Sequence, residues 1–453
     1  MTNTVPDGFR DRIVCIMGLG YVGLTLATVM VEVGFEVWGI EIREDLVRLM
    51  KEGKAHFSEP GITERLSRAV RNGRLKIFPK IPKDCPATVW IITVGTPMGP
   101  GGRARMDMVE GVSREVAKNI KDDDLVIMRS TVKIGTTREL VHPVLASSGK
   151  RFDLAFCPER TIEGQALEEL RWLPQIVGGE TLDISVRAGQ LFQFLTPTVV
   201  RVSSVEAAEM VKLVDNSQRD VHFAYSNEVA RVCDAVGISA AEVIQAGKRG
   251  YPRTNLPMPG PVGGPCLEKD SYILAESVER YGIRPEMTLA ARMINERQPD
   301  EVVAAIKAHA ARLGGLPAKP VIALLGIAFK GRPPTDDLRG TTARPLLAKL
   351  AEAFPGASFR GFDAVVSAEA QRGFGLEPMA SLTDALAGTN VAVIHNNHPV
   401  FATMPLESLA DRMATPGIVY DLWNNFAPRS VLMPEGRAYV CLGSHGLGLA
   451  TAS

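Results

Sequence analysis

RIVCIMGLGYVGLTLATVMVEVG (residues 12–34) joins two apolar segments through the glycine-rich run GLGYVG. The first segment, RIVCIM, is typical of a buried strand, and the second, YVGLTLATVMVEV, has the length of a helix that Gly34 closes. FEVWGIE (residues 35–41) then predicts another strand. A strand, a glycine turn, a helix and a second strand, in this order, indicate the start of a parallel α/β sheet.

The same alternation of strands and helices continues to about residue 200. A helix is predicted at ITERLSRAVRNG (residues 62–73). Further strands are predicted at VWIITV (89–94), LVIMRS (125–130), LAFC (154–157), QIVGG (175–179) and TVVRV (198–202). We therefore expect an N-terminal Rossmann-like, doubly wound α/β domain over residues 1–203.

Two helical patterns, at about 205–235 and 270–311, fill the middle of the chain. GGLPAKP (314–320), with its two glycines and two prolines, predicts a linker. Beyond it, strands and helices alternate again at VIALLGIAF, ARPLLAKLAEAF, SFRGFDAVV, NVAVIH and GIVYDLW. The pattern predicts a central helical connector over residues 204–312 and a smaller Rossmann-like domain over residues 313–453.

The chain has 453 residues, enough for two or three domains with sizeable cores. Lysine and arginine total 51, as do aspartate and glutamate, so no charge excess indicates a nucleic acid or an anionic membrane as partner. No apolar run reaches the ~20 residues that span a bilayer, and the first residues lack the pattern of a secretory signal. We expect a cytoplasmic protein with a small-molecule partner.

Six cysteines, at positions 15, 85, 157, 233, 266 and 441, are scattered without CxxC spacing. This distribution argues against a zinc site and a disulfide framework, so we expect no metal. Cys266 differs from the others in its setting, because GPVGGPCLEKD (residues 260–270) places it between glycines and charged residues. The remaining five are consistent with plain core positions.

The GLGYVG run places Gly18, Gly20 and Gly23 directly after a predicted strand and at the start of a helix. In a dinucleotide-binding turn the first glycine permits the tight bend, the second lets the backbone approach a pyrophosphate, and the third lets the helix pack closely. Tyr21 and Val22 lie at the helix N-terminus, where the phosphates would bind. The motif also occurs in ordinary turns, but its strand and helix favour a cofactor site.

Glu41 ends the second predicted strand, 23 residues after Gly18. A carboxylate there binds the ribose hydroxyls and repels a 2′-phosphate, which favours NAD over NADP. Arg43 lies close by and could accommodate such a phosphate, so the sequence leaves NADP open. Thr96 and Pro97, in VGTPMG, are expected to line the nicotinamide side, because ligands bind at the carboxyl ends of parallel strands.

The chain resembles the nucleotide-sugar 6-dehydrogenases, the UDP-glucose/GDP-mannose dehydrogenase family, in GLGYVGL, STVKIGTT, CPERTIEG, EAAEMVKLVDN, GPVGGPC and GIAFKGRPPTDDLR. These ordered motifs extend over nearly the whole chain. The resemblance implies an enzyme that oxidises the C6 hydroxymethyl group of a nucleotide sugar to a carboxylate with two NAD, through a thiohemiacetal and a thioester on a cysteine. A thiol that captures the aldehyde explains why a dinucleotide-binding chain carries Cys266.

Cys266 matches the family's nucleophile by its place in GGPC, and Gly263 in the same loop is expected near the substrate. A free thiol is mostly protonated near neutral pH, so attack requires a positive or hydrogen-bonding neighbourhood and a base. The resemblance makes Asp270, four residues further on, an acid that manages protons through a water. Lys269 is interpreted as a solvated neighbour, and no role is predicted for it.

Lys212 and Asn216 are four residues apart in a predicted helix and therefore project from one face. The resemblance directs both side chains into the site, where the ammonium and the amide would stabilise the oxyanion that develops at the sugar carbon. Without the resemblance, a lysine on a helix face would be interpreted as a solvated charge.

The CPERTIEG motif contains Glu159, Arg160 and Glu163. The resemblance makes Glu163 the candidate base for thioester hydrolysis and Glu159 a water-binding or proton-shuttling partner, although which of the two is the base stays open. Glu159 and Arg160 are also expected to contact the substrate. Thr131, in STVKIGTT, matches a threonine that holds a water near the reacting hydroxyl and adjoins the cofactor.

The remaining residues that match the family are expected to bind the nucleotide sugar or the cofactor. Arg253 and Asn255 lie in YPRTNL, and the resemblance implies that Arg253 reaches the active site of a neighbouring subunit. This implies a homodimer built on the central helices. Lys330, in GIAFK, would contact the substrate, and Arg339, in DDLR, would contact the cofactor.

The motifs point to more than one substrate branch. YPRTNLPMPGPVGGPC and CPER resemble enzymes of UDP-N-acetylhexosamines, whereas the glutamate in IEGQALEEL is more typical of the UDP-glucose branch. A proline precedes Cys266 where the family more often has serine or histidine. The motif FKGRPPTDD has two residues more than the commoner spacing in the family. We expect UDP-N-acetyl-D-mannosamine as the substrate, followed by UDP-N-acetylglucosamine and then by UDP-glucose or GDP-mannose.

Two other classes of protein stay open. A single-step 3-hydroxyacid or 6-phosphogluconate dehydrogenase has a related fold but uses no covalent thiol. A non-catalytic dinucleotide-sensing protein would have little reason to contain Cys266, Lys212 and Glu163 together. The amount of NADH formed per nucleotide sugar separates these classes.

Overall fold

The computed structural model describes residues 4–445, which form two compact units. The first unit comprises the chain up to Asn216 together with Lys269–Pro285. The second comprises Ser217–Glu268 and the chain from Glu286 onward. A 32-residue helix, Val205–Val236, begins in the first unit and ends in the second. Each unit contains its own β-sheet.

Eight strands form the sheet of the first unit. They are β1 (Ile13–Met17), β2 (Glu36–Ile40), β3 (Leu75–Phe78), β4 (Val89–Ile92), β5 (Asp124–Met128), β6 (Phe152–Phe156), β7 (Gln175–Gly179) and β8 (Val199–Val202). Their order is β3-β2-β1-β4-β5-β6-β7-β8, so the strand order reverses between β1 and β4. Ligands of doubly wound sheets bind at such a reversal, outside the carboxyl ends of the strands. The predicted doubly wound fold is confirmed, and β3 is an additional strand.

One pair of strands departs from a parallel layer. Strands β6 and β7 are antiparallel, with Ala155 opposite Gly179, whereas the other pairs of this sheet are parallel. A parallel neighbour requires a crossover, usually a helix of several turns. The segment between β6 and β7 contains only the four-residue helix Ala166–Glu169, so it does not supply that crossover.

Most helices before residue 237 connect these strands. They are α1 (Tyr21–Val33), α2 (Glu44–Lys51), α3 (Ile62–Arg71), α4 (Asp107–Ala117), α5 (His142–Ala146), α6 (Ala166–Glu169), α7 (Leu182–Phe192) and α8 (Val205–Val236). Helix α1 is buried along most of its length, and it packs against α3 and α6. It ends as predicted, because Gly34 adopts a left-handed conformation with φ of 110°.

Nine helices follow α8 among the described residues. They are α9 (Ala240–Lys248), α10 (Asp270–Val278), α11 (Glu286–Glu296), α12 (Gln298–Arg312), α13 (Ala343–Ala353), α14 (Ala368–Gly373), α15 (Leu382–Leu386), α16 (Pro399–Ala402) and α17 (Leu406–Ala410). The helical stretch predicted over 270–311 is therefore divided into three helices. Gly282 is left-handed with φ of 69°, and Pro285 directly precedes α11, which explains the longer break.

The second sheet repeats the reversal of the first. Its strands are β9 (Val321–Leu325), β10 (Ser358–Phe362), β11 (Glu377–Pro378), β12 (Val391–Ile394), β13 (Gly417–Asp421) and β14 (Arg437–Cys441). They are parallel in the order β11-β10-β9-β12-β13-β14. The predicted second Rossmann-like sheet is confirmed, with β11 and β14 as unpredicted strands at its two edges.

The three predicted domains do not coincide with the two compact units. The boundaries at residues 203 and 312 stay a prediction, because the units follow contacts rather than the order of the chain. Within residues 4–445 no helix is long and apolar enough to cross a membrane.

Candidate active site

The loop after β1 is built around two glycines that no other residue could replace without movement. Gly18 has φ of 95° and donates its N–H to the carbonyl of Ile40, 2.8 Å away. A Cβ on Gly23 would lie 1.9 Å from the Gly18 carbonyl oxygen and 2.8 Å from Oγ1 of Thr93. Helix α1 therefore approaches the loop as closely as the dinucleotide fingerprint requires.

The surroundings of Gly20 are open, unlike those of Gly18 and Gly23. Nothing lies within 4 Å of the position that its Cβ would occupy, so its backbone faces open space. No side chain of the described residues caps the N-terminus of α1, and its first turn contains no acidic residue. The N–H groups at Tyr21 and Val22 thus face a site that suits a pyrophosphate, and this end of the sheet fits a dinucleotide.

The carboxylate of Glu41 is fixed beside that loop. It accepts hydrogen bonds from the backbone N–H groups of Leu19 (3.2 Å) and Arg43 (3.1 Å). The guanidinium of Arg43 pairs instead with Asp45, at 2.7 Å. The carboxylate at the ribose position and the paired arginine both favour NAD over NADP.

The loop after β4 connects the cofactor end to the neighbouring strand. Thr93 donates to the carbonyl oxygens of Met17 (3.1 Å) and Gly18 (2.7 Å), at the reversal of strand order. Thr96 donates to the carbonyl oxygen of Thr131, 2.6 Å away. Thr96 and Thr131, predicted separately, are therefore brought together. Pro97 lies in the same loop and accepts a hydrogen bond from the N–H of Arg105.

Asp270 begins α10 and is fully buried. Its carboxylate accepts a hydrogen bond from Nδ2 of Asn216 at 2.5 Å and pairs with Nζ of Lys269 at 3.0 Å. Lys269 also lies 3.5 Å from Oγ1 of Thr96, so the ammonium lies between two predicted site residues. The interpretation of Lys269 as a solvated neighbour is wrong, because its side chain is only 14% exposed. Its position next to Asp270 was the available signal in the sequence.

Lys212 lies one turn before Asn216 in α8, and both side chains are buried. A buried ammonium needs a nearby opposite charge. Glu159 supplies one, since the charge of Lys212 contributes to lowering the pKa of Glu159. The interpretation of Lys212 as a solvated helix-face charge is therefore wrong, because the side chain is enclosed.

Glu159 lies just after β6 and is held through both carboxylate oxygens. Oε2 accepts a hydrogen bond from Arg129 at 2.6 Å, and Oε1 accepts the backbone N–H groups of Arg160 and Thr161, each at 2.7 Å. Burial alone would raise the pKa of Glu159. The Arg129 charge and the Thr161 amide outweigh burial, so this pKa is lowered from its usual value.

Arg160 and Glu163 interact with different partners. Arg160 pairs with Asp215 at 3.1 Å and donates to the carbonyl oxygen of Pro174 at 2.7 Å. Glu163 interacts electrostatically with Tyr21, the first residue of α1, whose pKa is raised by burial, then by Glu59 and least by Glu163. The predicted hydrolytic carboxylate therefore lies near the start of the cofactor helix.

In the second unit, Cys266 lies on a loop that two glycines shape. Gly264 has φ of 94°, and its Cβ would lie 2.5 Å from the ring of Phe329. A Cβ on Gly263 would lie 2.3 Å from the carbonyl oxygen of Gly340, which also accepts the Gly264 N–H. Cys266 is partly exposed, whereas the other five cysteines are buried.

A buried arginine that the sequence analysis missed supports the cysteine loop. Arg292 of α11 donates to the carbonyl oxygens of Leu267 (2.9 Å) and Val262 (3.1 Å), on either side of Cys266. Its guanidinium pairs with the buried Asp220 at 2.8 Å. The loop is thus fixed by a charge inside its own unit.

Two of the four predicted substrate contacts of the second unit, Arg253 and Asn255, are exposed, and Gly263 and Lys330 are partly buried. Arg253 stacks on the ring of Tyr251, with 4.7 Å from the guanidinium to the ring centroid, and Asn255 is exposed. Lys330 lies over the ring of Phe329, 5.3 Å from its centroid.

Arg339 pairs with Asp337 at 2.6 Å, and its side chain is 62% exposed. The guanidinium is thus held by a neighbour in its own loop while a large part of it faces solvent. No group of His, Cys, Asp or Glu within residues 4–445 could hold a metal ion.

Three sequence models of the UDP-glucose/GDP-mannose dehydrogenase family match the chain. The NAD binding domain matches residues 12–196, the central domain residues 206–297 and the UDP binding domain residues 323–428. Together they cover most of the chain in the order of the family.

Individual proteins agree with these matches. The chain is 33% identical to a UDP-N-acetyl-D-mannosamine dehydrogenase of Campylobacter jejuni over 351 residues, 75% of this chain and 83% of that protein. It is 32% identical to an NDP-N-acetyl-D-galactosaminuronic acid dehydrogenase of Ralstonia nicotianae over 344 residues, 73% and 78% of the two chains. The solved structure of a UDP-D-ManNAc dehydrogenase from Pyrococcus horikoshii superimposes with a TM-score of 0.86 at 29% identity, covering 96% of this chain and 100% of that chain.

Proposed function

The chain belongs to the UDP-glucose/GDP-mannose dehydrogenase family, and on that premise we propose that it oxidises C6 of UDP-N-acetyl-D-mannosamine to a carboxylate in two steps. It is an NAD-dependent nucleotide-sugar dehydrogenase. The observation that carries the two-step proposal is the setting of Cys266. Of six cysteines, all within residues 4–445, this one is not buried, and its loop is shaped by glycines and fixed by Arg292.

The first oxidation needs a site that stabilises negative charge on the substrate oxygen. Lys212 and Asn216 are the donors in this role, because both are buried on one face of α8. Removal of one such donor from comparable sites costs about 3 kcal/mol of transition-state stabilisation. Thr131 holds a water near the reacting hydroxyl, and Asp270 receives the proton through a water.

The cofactor is held by the chain's own glycine loop. The backbone at Gly18, Gly20 and Gly23 accommodates the pyrophosphate, and Glu41 binds the ribose hydroxyls. NAD held by this loop would supply the hydride acceptor for each oxidation. Arg339 contacts the cofactor, and its exposed guanidinium supports that role.

The second oxidation uses the thiol. Cys266 loses its proton to a base, for which Asp270 is the candidate, and its sulfur attacks the aldehyde carbon to form a thiohemiacetal. Loss of a hydride converts this adduct to a thioester. Water then cleaves the C–S bond, so one sugar, two NAD⁺ and one water give one carboxylate, two NADH and three protons.

Hydrolysis of the thioester needs a base that activates water. Glu163 is assigned this role, and Glu159 binds or relays the water. The low pKa of Glu159 supports a carboxylate that stays ionised through the cycle and balances the charge of Lys212. Glu159 and Arg160 also contact the substrate.

The choice of substrate rests on the relatives. UDP-N-acetyl-D-mannosamine is favoured by the Campylobacter and Pyrococcus proteins, whereas the Ralstonia protein acts on another acetamido-sugar nucleotide by its name. UDP-N-acetylglucosamine follows, and UDP-glucose and GDP-mannose come third. Gly263, Asn255 and Lys330 are the substrate contacts in this proposal.

The proposal includes a cytoplasmic homodimer. Exposed apolar side chains on α8, α9 and α11 support an interface there, since such side chains in one region mark an association surface. They are Met210, Val214, Tyr225, Val232, Val236, Val243, Met287 and Met293. Arg253 reaches the site of the partner subunit.

The test is a panel of nucleotide sugars incubated with NAD, with NADH measured by absorbance and product by mass. UDP-N-acetyl-D-mannosamine is expected to give two NADH per sugar, an acid product and the highest kcat/KM. A single NADH with an accumulated aldehyde or ketone would instead support a single-step 3-hydroxyacid-type dehydrogenase. No NADH with any sugar would support a sensing protein.

A further inference from the structure

Arg129 is a buried charge that the proposed chemistry does not use. It directly follows β5, at the carboxyl end of the first sheet, and its side chain is 1% exposed. The guanidinium lies over the ring of Phe192, 5.3 Å from the ring centroid. A buried cation is costly unless it is paired and hydrogen-bonded, so its partners indicate why it is there.

The partners of Arg129 come from two neighbouring strands. Nη1 of Arg129 donates to the carbonyl oxygen of Cys157, directly after β6, at 3.0 Å. It also donates to Oε1 of Gln175, the first residue of β7, at 2.9 Å. Nη2 donates to Oε2 of Glu159 at 2.6 Å. Because the planar guanidinium is anchored on both strands, the direction of its bond to Glu159 is fixed.

The carboxylate of Glu159 is consequently held at both oxygens. Its other oxygen accepts two backbone N–H groups, each at 2.7 Å. A cavity of about 20 Å³ beside the pair is lined by Arg129 and Glu159. The side chains of Arg129 and Glu159 are only 1% and 9% exposed, so water screens the ion pair poorly and the arginine acts strongly on the carboxylate.

We propose that Arg129 is a positioning residue for Glu159, which it orients and keeps ionised opposite the ammonium of Lys212. This rests on the proposed function, in which Glu159 binds or relays the water of hydrolysis. Arg129 acts only through Glu159 and does not touch the substrate. The pair joins β5 to the segment after β6, so the arrangement is built into the sheet.

The sign of the effect follows from the charges. The positive charge of Arg129 lowers the pKa of Glu159, and its removal therefore raises that pKa. Fewer molecules then carry an ionised Glu159 at mildly acidic pH. The acid limb of the kcat–pH profile is expected to move to higher pH, whereas a merely structural role would lower kcat equally at every pH.

The experiment measures NADH formation from UDP-N-acetyl-D-mannosamine between pH 4 and 9 in the wild type, Arg129→Met and Arg129→Lys. In Arg129→Met the acid limb should move up by about 1 pH unit, with KM for the sugar changed less than about threefold. Arg129→Lys keeps the cation and should restore most of the acid limb, although its point charge orients Glu159 less well. If Arg129→Met does not fold, the acid limb of Arg129→Lys is compared with that of the wild type.

Arg187→Met is the matched control. Arg187 also forms ion pairs in the first unit, with Asp11 at 2.7 Å and Asp153 at 2.8 Å, but it has no contact with Glu159. This variant should lower the melting temperature and leave the pH profile unchanged. An equal shift of the acid limb in Arg187→Met would overturn the proposal, and so would a uniform loss of kcat in Arg129→Met.

Glu159→Gln separates the positioning role from the proposed function. If Glu159→Gln loses activity and Arg129→Met keeps the wild-type acid limb, positioning by Arg129 is wrong while the role of Glu159 stands. If Glu159→Gln has the wild-type kcat and profile, Glu159 has no role, and both proposals fall. In support of positioning, Arg129→Met should change nothing further when it is added to Glu159→Gln.

Discussion

The loops after β1 and β9 begin alike and end differently. Each strand is central in its sheet and is followed by a left-handed glycine, Gly18 with φ of 95° and Gly326 with φ of 80°. Each glycine donates its N–H to the end of the neighbouring strand, to Ile40 and Phe362, over 2.8 Å. After Gly18 a helix begins within three residues, whereas after Gly326 the next helix begins at Ala343.

The acids beside the two loops differ in the same way. Glu41 accepts two backbone N–H groups, so lone pairs remain for ribose hydroxyls. Asp363 accepts four backbone N–H groups, two of them from Ile327 and Ala328 in the loop after β9. The first acid is placed to bind a ligand, and the second holds its own loop together.

The glycine itself does not distinguish the two loops, so the function depends on the residues that follow it. A glycine after a central strand is required by the turn in both sheets. The early helix N-terminus and the open space at Gly20 are found after β1, and both features favour that loop as the dinucleotide site that we propose. The 17 residues from Gly326 to Thr342 instead bring Lys330 and Arg339 to the corresponding end of the second sheet.

The largest expected effect comes from an added methyl group at Gly23. In Gly23→Ala the Cβ would lie 1.9 Å from the carbonyl oxygen of Gly18, so the loop must move. We expect the affinity for NAD to fall by about 100-fold, because overpacking of this kind costs about 3 kcal/mol. Titration of the binding by calorimetry measures the change.

Gly326→Ala is the counterpart in the second unit. Its Cβ would lie 2.3 Å from Oδ1 of Asn396, so this variant should lose thermal stability. Its affinity for NAD should stay within about twofold of wild type, since this loop is not the dinucleotide site. Equal losses of NAD affinity in the two variants would break the distinction between the loops.

A smaller effect is expected from the two acids. Glu41→Gln should weaken NAD binding by about tenfold, because one charge-assisted hydrogen bond to ribose contributes about 1.5 kcal/mol. Asp363→Asn should leave NAD binding unchanged and lower the melting temperature, since its four N–H partners lose a charged acceptor. NAD titration and thermal unfolding of both variants test this, and a reversed pattern would contradict the assignment.

Much of the fold and of the cofactor loop could be predicted from the local sequence. The glycine turn, the helix that Gly34 ends and the sheet strands follow from apolar periods and turn residues that lie close together in the chain. The pairing of Thr96 with Thr131 was also accessible in outline, because both follow strands whose carboxyl ends share one edge.

The buried arginines that hold the site residues in place could not be predicted from the local sequence. Arg129 and Glu159 are 30 residues apart, and Arg292 and Asp220 are 72 apart, so only the fold brings each pair together. Buried arginines are rare, and a single sequence does not distinguish them from surface charges. An arginine directly after the apolar run LVIM was the one local signal for Arg129.

Covalent capture at Cys266 is tested most directly by trapping its product. Glu163→Gln should carry out both oxidations but stall at hydrolysis. Mass spectrometry of this variant, denatured after incubation with NAD and UDP-N-acetyl-D-mannosamine, should find the acyl sugar on the peptide that contains Cys266. The double variant Cys266→Ser, Glu163→Gln should carry no thioester. An inactive Glu163→Gln protein with an unmodified Cys266, or near-normal turnover in Cys266→Ser, would contradict the covalent mechanism.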